Sequence, residues 1–185
     1  MLTDLTIKIT QEMLSDAQKL ENKALAGHLG THFDVMDKEF PLEYTERKAI
    51  VFDVSGTDGC DIDISDVDLE RVEKDMFVAF YTGYIEKVGY GEKGYFSEHP
   101  QLSEELIEAL LDKGVSVIGL DFAGIRRGKE HIPTDQHCAD RNVFVIENLC
   151  NLKAVLGCGG SFTACTYPIS CEKLTGLPCR VIAKQ

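Results

Sequence analysis

Five short apolar runs dominate the hydrophobic pattern, at residues 49–52, 76–81, 115–118, 143–146 and 179–183. They are too short for helices and rich in β-branched and aromatic side chains, which predicts strands buried on both faces. Leu5, Ile7 and Ile9 alternate with polar residues and predict a half-buried strand. Met13, Ala17, Leu20 and Ala24 recur at helical spacing, with Gly27 as the stop. A second helix is expected over 103–113: Ser103 caps it, Glu104 and Glu105 suit its positive end, Leu106, Leu110 and Leu111 form one face, and Gly114 ends it. A shorter helix is expected from Asp66 to about Lys74, capped by Ser65. Strands interleaved with helices indicate an α/β or mixed architecture.

The chain has 185 residues, 44% of them hydrophobic, enough for one globular domain over 1–185 with a sizeable core. A net charge of −12 excludes sequence-independent nucleic-acid binding, which needs clustered Lys and Arg. No apolar run reaches membrane-spanning length and the first residues lack a basic-then-apolar leader pattern, so a cytoplasmic location is expected. The seven cysteines, Cys60, Cys138, Cys150, Cys158, Cys165, Cys171 and Cys179, form no C-x-x-C pair. Reduced, mostly buried thiols fit that pattern better than a zinc knuckle or a redox site.

The candidate chemistry lies in His28-Leu29-Gly30-Thr31-His32-Phe33-Asp34, two imidazoles and a carboxylate at metal-ligand spacing. On a helix Asp34 would point about 200° away from His32. In an extended segment all three even-numbered residues face one side. A straight strand, however, holds residues 28 and 32 roughly 13 Å apart, too far for bonds of about 2 Å. The chain must therefore bend, and Gly30 sits where the bend is needed. The same spacing also accommodates a hydrogen-bonded core histidine with Asp34 as a turn former.

Two apolar runs finish in acids, at Asp121 and Glu147. A carboxylate beside a hydrophobic run is costly to desolvate unless it is paired, protonated or metal-bound. Metal ligation by Glu147 removes that cost; capping a helix or emerging into solvent removes it equally well. The acidic stretch 58–75 fails the calcium-loop pattern, with Asp66 and Val72 at the positions that need Gly and Glu. Gly89-Tyr90-Gly91-Glu92-Lys93-Gly94 matches a phosphate-loop pattern only superficially and reads as a flexible loop. Phe33, Phe40 and Phe122 neighbour the candidate ligands, where core packing is the stronger reading and an apolar pocket wall the weaker.

The seven-residue cluster resembles the H-x-G-T-H-x-D signature of the cyclase family, which includes bacterial-type kynurenine formamidase and isatin hydrolase. Thr82-Gly83-Tyr84, His99-Pro100-Gln101-Leu102, Gly119-Leu120-Asp121, Glu147-Asn148-Leu149 and Pro178-Cys179-Arg180-Val181 are similar, in order, to its further motifs. The resemblance implies a swivelling β/β/α fold with a mixed sheet and flanking helices. It also implies Zn²⁺ or Mn²⁺, one or two ions, and hydrolysis of a small-molecule amide, lactam or ester by metal-activated water. His28, His32, Asp34 and Glu147 are the implied ligands, and a homo-oligomer, dimer or tetramer, is implied as well.

Two positions depart from the family. Lys38 stands where a histidine is expected four residues after the motif aspartate, and Asp135 where one is expected twelve residues before Glu147. Asp135 is still a competent ligand, whereas a lysine near its ordinary pKa of about 10.4 is a cation and a poor base. Lys38 is then expected to stabilise an anionic substrate or oxyanion beside a catalytic Glu147. His131 and His137 lie nearby in sequence and are candidates to substitute for the missing imidazole, out of register with the family histidine. The same departures admit a second reading, a non-catalytic descendant that binds a metal or small molecule. Dehydration or cyclisation by the same Lewis acid is a third.

Overall fold

The computed structural model describes residues 1–19, 27–57 and 61–185. Its eight strands are β1 (Leu2–Asp4), β2 (His32–Asp34), β3 (Glu46–Asp53), β4 (Phe77–Tyr81), β5 (Val117–Leu120), β6 (Phe144–Glu147), β7 (Ser161–Pro168) and β8 (Gly176–Lys184). They lie in the order β1-β8-β2-β6-β5-β4-β3-β7, and β7 also pairs with β8, which closes the sheet into a barrel-like ring. Strands β3 to β6 run parallel. β2 joins β6 to β8, and β7 joins β3 to β8, all antiparallel. Closure depends on the length of β8, whose residues 176–178 pair with β2 while residues 182–184 pair with β1.

Alternation along the central strands sends side chains into two separate cores. Ala49, Val51, Phe77, Ala79, Val117, Phe144 and Ile146 point into the ring, with Phe33, Leu177 and Val181. Ile50, Phe52, Val78, Phe80, Ile118, Leu120 and Val145 point outward against Leu106, Ile107, Leu110 and Leu111. Those four leucine and isoleucine residues belong to a helix at Glu104–Lys113. Burial on both faces is why these strands read as unbroken apolar runs.

The helices are α1 (Gln11–Gln18), α2 (Tyr84–Val88), α3 (Glu104–Lys113), α4 (His131–Asp140) and α5 (Leu152–Leu156). α3 forms as expected: Ser103 Oγ accepts from the Leu106 amide, and Gly114 ends the helix at φ 67°. The other local expectations need correction. The N-terminal strand lies at 2–4 instead of 5–9, because beyond a single bridge from Thr6 to Leu149 the chain turns away and the Ile7 amide donates to Thr31 Oγ1. The helix expected over 66–74 is two 3-10 turns, Ile64–Asp66 and Leu69–Arg71. Asp63 and Asp68 accept local backbone N–H bonds there, which competes with a continuous helix. Leu20 and Ala24 of the first helical stripe, and Cys60, lie outside the described residues.

Gly119 marks the tightest point of the ring interior. A Cβ there would meet the Phe77 ring at 2.7 Å and Leu149 Cδ1 at 2.9 Å. Gly119→Ala is therefore expected to destabilise the protein by about 1–3 kcal/mol, the usual cost of overpacking. Urea unfolding monitored by circular dichroism checks this, and an unchanged midpoint would show that the interior has slack.

Candidate metal centre

The site starts from one register position: His32 of β2 lies directly opposite Glu147 of β6. Phe33 enters the ring core, so His32 and Asp34 stand on the outer face of the sheet. Phe144 and Ile146 likewise point inward, so Glu147 joins that outer face. Gly30, at φ 69°, turns the preceding chain and folds His28 back towards them. His28 Nδ1 then lies 3.1 Å from His32 Nε2 and 3.0 Å from Asp34 Oδ1. His32 Nε2 is 3.5 Å from Asp34 Oδ1 and 3.6 Å from Glu147 Oε2. The far edge of each ring is fixed: His28 Nε2 bonds Thr175 Oγ1 at 2.8 Å, and His32 Nδ1 donates to the Gly30 carbonyl at 2.9 Å. A carbonyl only accepts, so His32 in its neutral form presents a lone pair at Nε2.

α4 supplies the rest. His131 and Asp135 are four apart on a helix and share a face. His131 Nε2 sits 3.1 Å from Asp135 Oδ2 and 3.0 Å from Glu147 Oε1. The described residues thus offer two adjacent ligand groups sharing one carboxylate, His28–His32–Asp34 and Asp34–His131–Asp135. Asp34 Oδ2 and Asp135 Oδ1 are buried without a hydrogen-bond partner. Buried polar atoms are rarely left so, and an acceptor-only oxygen in this state fits a missing cation.

The electrostatics agree. Burial pushes Asp135 up, and the charge of Asp34 adds to it, so that its pKa reaches about 8. Glu147 is raised for the same two reasons. Burial also works against charge on Asp34 and His32, but their mutual attraction outweighs it: Asp34 is held far below the usual carboxylate range and His32 is pushed up to about 9. Hydrogen bonds that His131 donates to Asp135 and Glu147 raise its pKa to about 11. Without a cation, the cluster balances its carboxylates by holding protons.

Of the residues expected from sequence, His28, His32, Asp34, Asp135 and Glu147 are brought together. Lys38 is not: its Nζ lies 2.7 Å from Asp140 Oδ1 and 3.0 Å from Asp37 Oδ1, and among the described residues it forms no ion pair with the cluster carboxylates. Two surface acids neutralise the charge that the oxyanion role required. His137 also faces away, 2.7 Å from Glu108 Oε1 on α3. His131 is the one of the two candidate substitutes that joins the cluster, which sequence leaves open. The available signal was its four-residue spacing from Asp135, but α4 carries Pro133 and no apolar stripe and was not recognised as a helix. Pro133 is tolerated because it falls in the first turn, where its missing N–H leaves no bond unmade.

Asp121, the other acid at a strand end, is structural. It accepts from the Thr82 amide at 2.9 Å, Thr82 Oγ1 at 2.6 Å and the Gly83 amide at 2.7 Å. Phe33 packs in the ring core against Phe40, and Phe122 stacks on His99, so none of these rings needs a pocket to explain it. A cavity of about 560 Å³ opens onto His28 from another side, lined in part by Met13, Leu29, Tyr90, Phe96 and Glu12.

Comparison with known proteins agrees with this fold. A family model described as "Putative cyclase" matches residues 3–126. No curated protein sequence matches the chain. Among solved structures, one described as a potential metal-dependent hydrolase with cyclase activity is 22% identical with a TM-score of 0.74, covering 99% of this chain and 96% of that one. A predicted metal-dependent hydrolase from Bacillus stearothermophilus is 22% identical with a TM-score of 0.73, covering 99% and 97%. Isatin hydrolase A from Labrenzia aggregata is 17% identical with a TM-score of 0.74, covering 99% and 93%. The mixed sheet with flanking helices is thus the fold of these proteins, reached at low identity. With the family model matched over well over half its length, the chain belongs to the cyclase family.

Proposed function

We propose that the protein is a metal-dependent hydrolase of a small amide, lactam or ester, with arylformamidase-like chemistry at a non-peptide C–N bond. One observation carries the reading: two histidines and a carboxylate converge beside buried carboxylate oxygens that have no partner. His28 Nδ1, His32 Nε2 and Asp34 would hold one Zn²⁺ or Mn²⁺, and Asp34, His131 and Asp135, beside Glu147, a second. A divalent ion bound there lowers the pKa of water towards about 7 and polarises a carbonyl.

The chain's own groups do the rest. Gly30 and Thr175 hold the imidazoles in place. The His131 side chain is 35% exposed while Glu147 is buried, so His131 connects Glu147 Oε1 to solvent and offers a proton path where no second ion is held. Tyr90, Phe96, Leu29 and Met13 give the cavity an aromatic and apolar wall. Its other lining among the described residues includes the acids Glu12, Asp16 and Glu92, whose charge favours a neutral aromatic substrate over an anionic one. Isatin hydrolysis, named for one structural neighbour, is of this chemical type.

The placement of Lys38 favours a second reading, a non-catalytic member that binds a metal or small molecule, since no base replaces the family histidine at that position. Metal analysis and turnover decide between the two. Protein purified without added metal is expected to carry at least one Zn²⁺ or Mn²⁺ per chain. His32→Ala is expected to lose that metal and to cut hydrolysis of N-formyl arylamines or isatin-like lactams by at least about a hundredfold. Stoichiometric metal with no turnover of any amide, lactam or ester supports the second reading; absence of metal sinks the first and leaves the second only as a small-molecule binder.

Lys38→Ala is expected to leave metal content and kcat/KM within about twofold, because exposed pairs with surface carboxylates contribute little. A large loss of kcat would restore a catalytic role to this lysine.

The sign of the pH dependence follows from the protonated, metal-free cluster. At pH 7 His32, at about 9, and Asp135, at about 8, each hold a proton that a cation must displace. Apparent metal affinity therefore rises with pH, by roughly tenfold per unit for each proton released; it levels off above about pH 9 where His32 and Asp135 are the groups deprotonated, and only towards about pH 11 where His131 is a ligand. Calorimetric titration in buffers of different ionisation enthalpy measures the proton release; none at pH 7 would contradict this account.

A further inference from the structure

We propose that Asn148, held by Tyr95, is a positioning residue for His32: it fixes the Gly30 carbonyl that selects the imidazole tautomer, and so sets the affinity of the cluster for a divalent cation. The proposal rests on the metal-centre reading above. The Gly30 carbonyl accepts two hydrogen bonds, from His32 Nδ1 at 2.9 Å and from Asn148 Nδ2 at 3.0 Å. The first puts the imidazole hydrogen on Nδ1 and leaves Nε2 free to bind metal. The second holds the carbonyl in the orientation that the first requires.

The Asn148 amide has one way round in this setting. Tyr95 Oη donates to Asn148 Oδ1 at 2.8 Å, and a flipped amide would set its oxygen against the Gly30 oxygen. Tyr95 is fully buried among Tyr84, Tyr90 and Phe96, whose ring centroids lie 5.1–5.5 Å from its own. Burial raises its pKa far above the ordinary value, so the phenol stays a donor. The Asn148 backbone, at φ 59°, is pinned as well: its amide donates to Phe122 O at 3.1 Å and its carbonyl accepts from Thr31 Oγ1 at 2.7 Å. On the other side of the turn, the Gly30 amide donates to Tyr90 Oη at 3.0 Å. The segment read from sequence as a flexible loop therefore supplies, with Tyr95 just beyond it, two of the groups that grip the ligand turn. Asn148 follows the ligand Glu147 directly, so one strand end delivers a ligand to one face and the clamp for another ligand to the turn beside it.

Two variants separate positioning from stability. Asn148→Gly removes the amide while tolerating positive φ, and Tyr95→Phe removes only the phenol oxygen. Zn²⁺ affinity is read by competition with a chelator, the His32 tautomer by imidazole ¹⁵N shifts in the metal-free protein above about pH 10, where the ring is neutral, and folding by circular dichroism and Tm. Asn148→Gly is expected to weaken Zn²⁺ binding roughly 10- to 100-fold, the range for lost outer-shell hydrogen bonds to a ligand, with a smaller loss in Tyr95→Phe. In both, His32 is expected to shift from the Nδ1–H form to a mixture. A merely structural role would lower the metal-free Tm and leave affinity and tautomer unchanged, which overturns the proposal. If Asn148→Gly does not fold, Tyr95→Phe decides alone by the same readings. Wild-type protein that binds no Zn²⁺ or Mn²⁺ overturns the metal-centre reading, whereas wild-type His32 with its hydrogen on Nε2 overturns the clamp alone.

Discussion

Three buried carboxylates, those of Asp34, Asp135 and Glu147, meet between the outer face of the sheet and helix α4, and like charges in a poorly solvated site repel. Everything around them answers that repulsion. Three imidazoles from His28, His32 and His131 are drawn in, and two of the acids are pushed towards their protonated forms. Protons only partly satisfy the arrangement, since one oxygen each of Asp34 and Asp135 still lacks a partner. A divalent charge at each of the two ligand groups would meet the oxygens that protons leave unpaired.

The closed sheet is what makes such a cluster tolerable. With apolar side chains filling the ring interior and a second apolar layer under α3, the central strands are held from both sides. β2 contributes only three residues, yet it is wedged between β6 and β8 with full register on each. Its middle residue, Phe33, anchors it in the ring core against Phe40. The flanking His32 and Asp34 therefore project outward from a rigid ribbon, and rigidity of this kind keeps ligand geometry from relaxing when the metal is absent.

Much of this was legible from residues alone, where the physics is local or periodic. The five apolar runs became strands β3 to β6 and β8; burial on both faces accounts for β4 to β6 and most of β3, whereas β8 alternates, with Arg180 exposed between buried Cys179 and Val181. The bend at Gly30 followed from the reach of two imidazoles, and the positive φ there is its structural form. β7 escaped notice because its inward residues Phe162, Ala164 and Thr166 include small and polar side chains that carry little hydrophobic signal. The helix expected from Asp66 to about Lys74 is two tight turns instead, because capping residues favour a helix start and a tight turn alike. Nor does Asp121 differ from Glu147 at the level of sequence: both end apolar strands, and only the fold reveals that one faces three donors while the other faces two imidazoles.

The placement of His131 shows why matching a ligand by sequence offset alone misleads on a helix. Residues four apart on a helix lie on one face, about 6 Å along the axis. An imidazole is longer than an aspartate side chain, so a histidine one turn away reaches the point that the nearer aspartate also reaches, and their donor atoms end 3.1 Å apart. Asp135 occupies the helical position where the family resemblance leads one to expect the imidazole, and His131 supplies that imidazole from the preceding turn. The exchange adds a carboxylate to the group without removing its nitrogen donor. With Lys38 paired to Asp37 and Asp140, and Gln136 donating to Asp37 at 2.7 Å, the loop after Asp34 is tied to α4, the helix that carries both residues. The position that would have moved protons thus lies, in this chain, among surface contacts between that loop and α4, away from the cluster.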